Sequence, residues 1–262
     1  MKTIDVNGLK FGYKKDCPVL DGISLSIESG SVNVLLGLNG SGKTTFIKLL
    51  AGLCRPQAGQ ISICGCDLKG MSIKERSKKL AYVAQSSNLI DDFTVKDYLL
   101  FGRVNKMNFY QSPKAEDIEN TERHAERLGI SHFLSKKLGE LSGGERQIVS
   151  ICAAIIQDTD IIVLDEPTSA LDIKNQHKVL NLLKEIARKD KCIILSSHNP
   201  NHALYLDGNV FLLKDGRITA GGRAKDIVKV ENLKDIYGDN ICLSSELEYS
   251  EISFKDKEAK DD

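Results

Sequence analysis

The chain has 262 residues, enough to bury one large core or two modest ones and to carry a catalytic unit with a smaller appended lobe. Its 36 Lys and Arg balance 36 Asp and Glu, so no global field draws it to nucleic acid or an anionic membrane surface, and any polyanion it binds must be gripped locally. Seven cysteines, an odd number without the spacing of a disulfide framework or a zinc site, point to a reducing interior.

The first stretch, MKTIDVNGLKFGYKK, lacks an apolar core of signal-peptide length, and no window of about eighteen apolar residues occurs further along, so the chain itself is not expected to cross a bilayer. TIDVNGLKFGY, GISLSIESG and the apolar SVNVLLG read as strands. GLNGSGKTT, Gly37 to Thr45, comes next, and TFIKLLAGL then takes up helical spacing until Gly52, with Pro56 just beyond. A strand feeding a glycine loop that opens a helix is the P-loop arrangement, and G-x-x-x-x-G-K-[ST] is satisfied at every specified position. Such a loop, here Gly37, Leu38, Asn39, Gly40, Ser41 and Gly42 with Thr45 behind it, wraps phosphates with inward backbone N–H groups, aided by the positive end of the helix. Lys43 is expected to reach the β- and γ-phosphates of ATP, and the Thr44 hydroxyl to ligate Mg2+.

ISICGCDL is a short β-like run in which Cys64 and Cys66 have no His or second Cys pair nearby, so a structural role is expected rather than a metal. LAYVA reads as a strand ending at Gln85, whose amide either senses Mg2+ or the γ-phosphate or is a plain polar loop residue. From 86 to 140 the charges interleave at helical spacing with little β-branched material, which predicts an inserted helical lobe. LSGGERQ comes after it, and a helix is expected from Gly143 to about Ile156. Ser142 and Glu145 form at minimum a capping box. That leaves Gly143 and Gly144 unexplained, because glycine costs about 1 kcal/mol relative to alanine in a helix interior. Bare backbone at a helix N-terminus is what a phosphate needs for close approach.

DIIVLDEP is a continuous apolar run ending in two carboxylates, as a strand buried on both faces would be. Asp165 at its end can hold the magnesium through water, and Glu166 is the natural general base or water-positioning group for γ-phosphate hydrolysis. After the helical HKVLNLLKEIARK comes CIILSSH, which delivers His198 to another strand end, either to contact the γ-phosphate and fix the water or as an ordinary loop histidine. Strands alternating with helices predict a mainly parallel α/β sheet. NVFLLKDGRITAGG reads as a hairpin turning at Asp215-Gly216. The last nineteen residues, Ser244 to Asp262, hold seven acids against three lysines, and the final eight or so read as a solvated tail.

Taken in order, the P-loop, Gln85, Leu141 to Gln147, Ile161 to Glu166, SALD from Ser169 to Asp172, and His198 resemble the ATP-binding subunit of an ABC transporter, over roughly residues 1–240. The resemblance implies a P-loop NTPase cassette: a catalytic core (1–85 and 141–240) with an N-terminal antiparallel β subdomain, a helical lobe (86–140) and an extension (241–262). In that family two cassettes face head to tail. On that carry-over Ser142, Gly143 and Gly144 bind the γ-phosphate of ATP held by the other cassette, Asp172 couples the two sites, and Tyr13 stacks on adenine. The implied partners are a second, identical cassette, integral membrane permease subunits and, indirectly, a substrate-binding protein, at the cytoplasmic face of a prokaryotic plasma membrane. Leu38 replaces the commoner proline of the loop, and Ile148 with Ala153 and Ala154 stand where many relatives carry arginines, which bears on how the signature helix packs.

Within the family, SIKERSKKLAYVAQ, FTVKDYLLFGR, PTSALDIKNQ and ENLKDIYGDNI resemble importers of iron-siderophore complexes, haem, cobalamin or related metal chelates. The alternatives are an exporter ATPase, a soluble non-transport ABC ATPase and a small-molecule P-loop kinase. Ribosome-acting relatives usually hold two cassettes in one chain and DNA-repair relatives insert long coiled coils, neither of which occurs here, while a kinase would need an acceptor pocket in cis and no trans-acting signature.

Overall fold

The computed structural model describes residues 2–14, 17–85, 90–106, 112–239, 241–244 and 251–254. Three strands open the chain: β1 (Lys2–Phe11), β2 (Leu20–Glu28) and β3 (Val32–Leu36). Next come the phosphate-loop helix α1 (Lys43–Leu50), β4 (Ala58–Ile63) and the short β5 (Cys66–Asp67), with Cys64-Gly65 making the turn between the two strands. Helix α2 (Ile73–Lys79), opened by a Ser72–Glu75 capping box, runs straight into β6 (Leu80–Val83). Helices α3 (Val95–Phe101) and α4 (Ala115–Leu128) make the intervening lobe, and α4 stops where Gly129 turns left-handed.

The second half begins with α5 (Gly143–Ile156), β7 (Ile161–Leu164), α6 (Ile173–Ala187), β8 (Cys192–Ser197) and α7 (Pro200–Leu206). It ends with the hairpin β9 (Asn209–Lys214) and β10 (Arg217–Arg223), two short helices α8 (Ala224–Ile227) and α9 (Val230–Tyr237), and a final antiparallel pair, β11 (Ile241–Ser244) and β12 (Glu251–Phe254). The sequence pattern does not announce strands in that last segment. Its expected solvated tail, the final eight residues, lies outside the described residues.

Six strands form the core sheet in the order β10-β9-β3-β8-β7-β6, parallel throughout except for β10 against β9. Every residue of β3, β7 and β8 is buried, as two covered faces require. The period of two then sorts their side chains cleanly. Val34, Leu36, Ile162, Leu164, Ile193 and Leu195 join one hydrophobic cluster with α5, α6 and the helical lobe. Leu35, Ile161, Val163, Cys192 and Ile194 join another, with α1 and the four-stranded antiparallel sheet β2-β1-β4-β5.

The strand order sets where functional groups can meet. β3, β8, β7 and β6 lie side by side and point the same way, with Leu36 level with Ser197, Leu195 level with Leu164, and Leu164 level with Val83. Whatever each strand carries just past its C-terminus is therefore delivered to one edge, the crevice where open α/β sheets bind ligands.

Candidate functional site

Four loops meet at that edge: Gly37–Gly42 after β3, Gln85 after β6, Asp165 and Glu166 after β7, and His198 after β8. A cleft of about 300 Å³ is lined there by Asn39, Gly40, Gly42, Lys43 and Thr44 of the loop, joined by Thr45, Gln85 and Glu166. Gly42 is held at φ 106, and a Cβ on it would lie 2.7 Å from the Leu20 side chain, so only glycine fits where the loop passes into α1. The Ser41 hydroxyl is buried without a hydrogen-bond partner, a donor left free within the phosphate loop.

Lys43 is buried, and its ammonium offsets the cost of desolvation locally. It donates to the carbonyls of Gly37 (2.9 Å) and Leu38 (3.1 Å) and lies 3.4 Å from the Glu166 carboxylate. Glu166 is itself buried and has φ 44, a left-handed conformation that a non-glycine side chain adopts at a cost of about 1–3 kcal/mol. The surrounding bonds hold it there: its N–H donates to Ser196 Oγ at 2.8 Å, and its carbonyl accepts the Ser169 hydroxyl at 3.0 Å. The other carboxylate oxygen lies 3.2 Å from Nδ1 of His198, whose ring is half exposed. His198 thus stands at the same strand edge as Glu166, in contact with its carboxylate.

Asp165 is 1% exposed, and one of its carboxylate oxygens accepts both the Thr44 hydroxyl (3.2 Å) and the Ser196 hydroxyl (2.7 Å). One hydroxyl and one carboxylate are too few protein donors to cage a metal, and among the described residues no cluster of three or more His, Cys, Asp or Glu does so. That donor set suits Mg2+, which is held by one or two carboxylates together with substrate phosphates. Ser196 thus supports both acids of the pair. Tyr13 stands 62% exposed, with its hydroxyl 3.4 Å from Thr45 Oγ1 and its ring in a T-shaped contact with Phe11 at 5.0 Å.

The signature residues do not enter this cleft. Ser142 caps α5, accepting the Glu145 N–H at 3.4 Å, while the Glu145 carboxylate accepts the Ser142 N–H at 2.7 Å. The bond to Ser142 holds the Glu145 carboxyl below the usual glutamate value. A Cβ on Gly143 would meet nothing within 4 Å, whereas one on Gly144 would lie 2.8 Å from the Ala170 carbonyl. The two glycines, expected to serve the phosphate alike, therefore differ: Gly143 leaves open backbone, and Gly144 lets the SALD turn pack close. Asp172 caps α6 by accepting the Asn175 N–H at 2.8 Å, and Ile173 next to it is 76% exposed. Ile148 and Ala154 are buried and Ala153 partly so, and the signature helix packs into the core without the arginines.

Sequence reasoning missed Ser196, whose two partners become neighbours only when β7 and β8 pair. It also missed His202 on α7, whose Nδ1 lies 3.1 Å from Ser197 Oγ and 3.5 Å from Thr168 Oγ1. Burial, then the neighbouring imidazoles of His198 and His177, lowers its pKa to about 4, so it is neutral near pH 7. A larger concavity, about 690 Å³, lies at the opposite end of the strands around Lys184, Arg188, Glu28 and Asp207; it mixes charges of both signs and holds none of the phosphate-binding elements.

Comparison with known proteins bears on this arrangement. The family described as "ABC transporter" matches residues 20–169. The ferric enterobactin transport ATP-binding protein FepC of Escherichia coli (strain K12) is 32% identical over 231 residues, spanning 88% of this chain and 85% of that one. Among solved structures, a chain described as belonging to a metal-chelate type transporter in an inward-facing conformation is similar with a TM-score of 0.82 at 27% identity, covering 97% of each chain. A dimeric bacterial cassette is similar at 0.78 and 26% identity, covering 84% of this chain and 98% of that one. No helix among the described residues is long and apolar enough to cross a membrane.

Proposed function

The chain belongs to the ABC transporter family as an ATP-hydrolysing subunit, and on that premise we propose that it powers the uptake of an iron-siderophore complex or a related metal chelate. The support for this cargo class is the similarity to FepC and to the metal-chelate type transporter. On this reading it works at the cytoplasmic face of the membrane, bound to permease subunits through the lobe between Gln85 and Gly139.

The observation that carries the mechanism is the separation of Ser142–Gly143 from the cleft that holds Lys43, Thr44 and Glu166. A site with a buried lysine, a positioned acid and an open second face is half of a reaction centre. A second copy, docked head to tail, would supply its signature to the γ-phosphate, and the dimeric cassette supports that assembly. The loop N–H groups and Lys43 bind the phosphates of ATP, and Tyr13 offers its ring to the adenine. Thr44 and Asp165, with Gln85 at the rim, would hold Mg2+, which when bound neutralises charge on the β- and γ-phosphate oxygens. Glu166 accepts a hydrogen bond from the attacking water. His198, anchored on Glu166, fixes that water and the γ-phosphate relative to each other. Asp172 and the exposed residues around it form the link between the two sites.

The test is purification of the whole membrane complex and its reconstitution into vesicles. Uptake of a ferric siderophore that requires Mg-ATP on the side of this chain is the expected result. ATP-driven movement in the opposite direction, or ATP turnover with no metal-chelate transport, would contradict the cargo assignment.

A further inference from the structure

The C-terminal segment grips the loop that carries His198, and it does so at two points. The Tyr237 hydroxyl, at the last residue of α9, donates to the backbone carbonyl of His198 at 2.8 Å across 39 residues of sequence. Beyond it, β12 lies against α7, the helix that begins two residues after His198. A cavity of about 640 Å³ is lined by Leu38, His198, Pro200, Tyr237 and Ile241 together with three asparagines, so the phosphate loop, the histidine loop and the C-terminal segment share one wall.

We infer that Tyr237 is a positioning residue for hydrolysis: its hydroxyl, by fixing the His198 carbonyl, sets the imidazole against Glu166, and the C-terminal segment thereby acts on turnover. The inference deepens the proposed function and rests on His198 working at the γ-phosphate. The physical case is one of leverage. β8 pairs with β3 only as far as Ser197, so His198 is the first residue beyond the ladder and its carbonyl has lost the sheet as a partner. A phenol packed against the main core cluster supplies a substitute that a mobile loop would not have. The phenol is also close enough to Glu166 to be affected by its charge; burial first, then that carboxylate, raises the tyrosine pKa, so the hydroxyl keeps its proton and remains a donor. Of the contacts holding the loop, Ser197, Asn199 and His202 bond to one another, whereas Tyr237 holds the His198 carbonyl from a separate element.

The experiment uses the full chain. Tyr237→Phe keeps the ring and its packing and removes only the donor. Two readouts are taken: steady-state turnover of Mg-ATP, and the imidazole resonances of the five histidines. The inference predicts a fall in kcat of about three- to tenfold with the KM for ATP unchanged, since a misaligned group costs rate without costing ground-state binding. It also predicts a shift or broadening of the His198 resonance, with those of His124 and His132 in the helical lobe unmoved. An unchanged kcat, an unchanged His198 resonance, or a loss that appears in KM would each overturn it, as would histidine shifts across the whole chain together with a lowered melting temperature. A wild-type chain that turned over no ATP would instead strike at the proposed function, and the His198 resonance would still report whether Tyr237 sets that ring.

Discussion

Glu166 owes its place to neighbours rather than to its own preference. Its backbone sits in a region that a carboxylate side chain disfavours, and Ser196 accepts its N–H while donating to Asp165. Replacing Ser196 with alanine would leave one buried donor and one lone pair unpaired, at a cost of about 1–3 kcal/mol of stability. Because both acids lose their common support, kcat should also fall about tenfold, in the manner of partners that orient a metal or catalytic ligand. Thermal denaturation and steady-state ATP turnover of Ser196→Ala check this, and a stable variant with wild-type turnover would show that the pair stands unaided. Sequence could reveal Lys43, Thr44, Asp165 and Glu166 because phosphate chemistry ties residue types to fixed spacings along the chain. It could not reveal Ser196 or Tyr237, whose partners lie 30 to 39 residues away and are chosen by strand pairing and helix packing. Gly144 shows a third case: the motif was legible, but the Ala170 carbonyl that demands a glycine there belongs to a different turn.

Elements with strong local signals were the legible ones. The span Gly143–Ile156 of α5 comes from its capping box and apolar face, and the β9–β10 hairpin from Asp215-Gly216. The strands β11 and β12, four residues each, are too short for a period of two to rise above a charged background, and the pattern conceals them. Helix α7 carries a pH dependence that its sequence does not announce. His202 has a pKa of about 4 in the fold against an ordinary 6.5, so between those values the unfolded chain binds more protons than the folded one. Stability should therefore rise with pH across that window, be complete above pH 6.5, and be lost as pH falls towards 4, by an amount on the order of 3 kcal/mol. Chemical denaturation at several pH values, for the wild type and His202→Gln, measures it. The variant should have the shallower slope from pH 6.5 to 4, and parallel curves would remove His202 as the cause.

At the scale of the whole molecule, one topological fact organises the candidate site: four neighbouring parallel strands end at one edge, and each is followed there by a loop carrying a candidate residue. That arrangement was readable as a sheet class from the alternation of apolar runs and helices, while the strand order that puts β8 between β3 and β7 was not. The same chain keeps its signature, with exposed Ser142 and open Gly143, out of the cleft lining, and packs Gly144 on the Ala170 carbonyl. On the proposed reading, an isolated copy holds a nucleotide cleft and an unused grip, and turnover needs two copies to exchange them. The most direct test is the rate of ATP hydrolysis per chain, at saturating Mg-ATP, as the purified protein is diluted through the range in which it dissociates. A rate per chain that falls towards zero with dilution is predicted, and a rate that stays constant in the monomer would contradict the shared reaction centre.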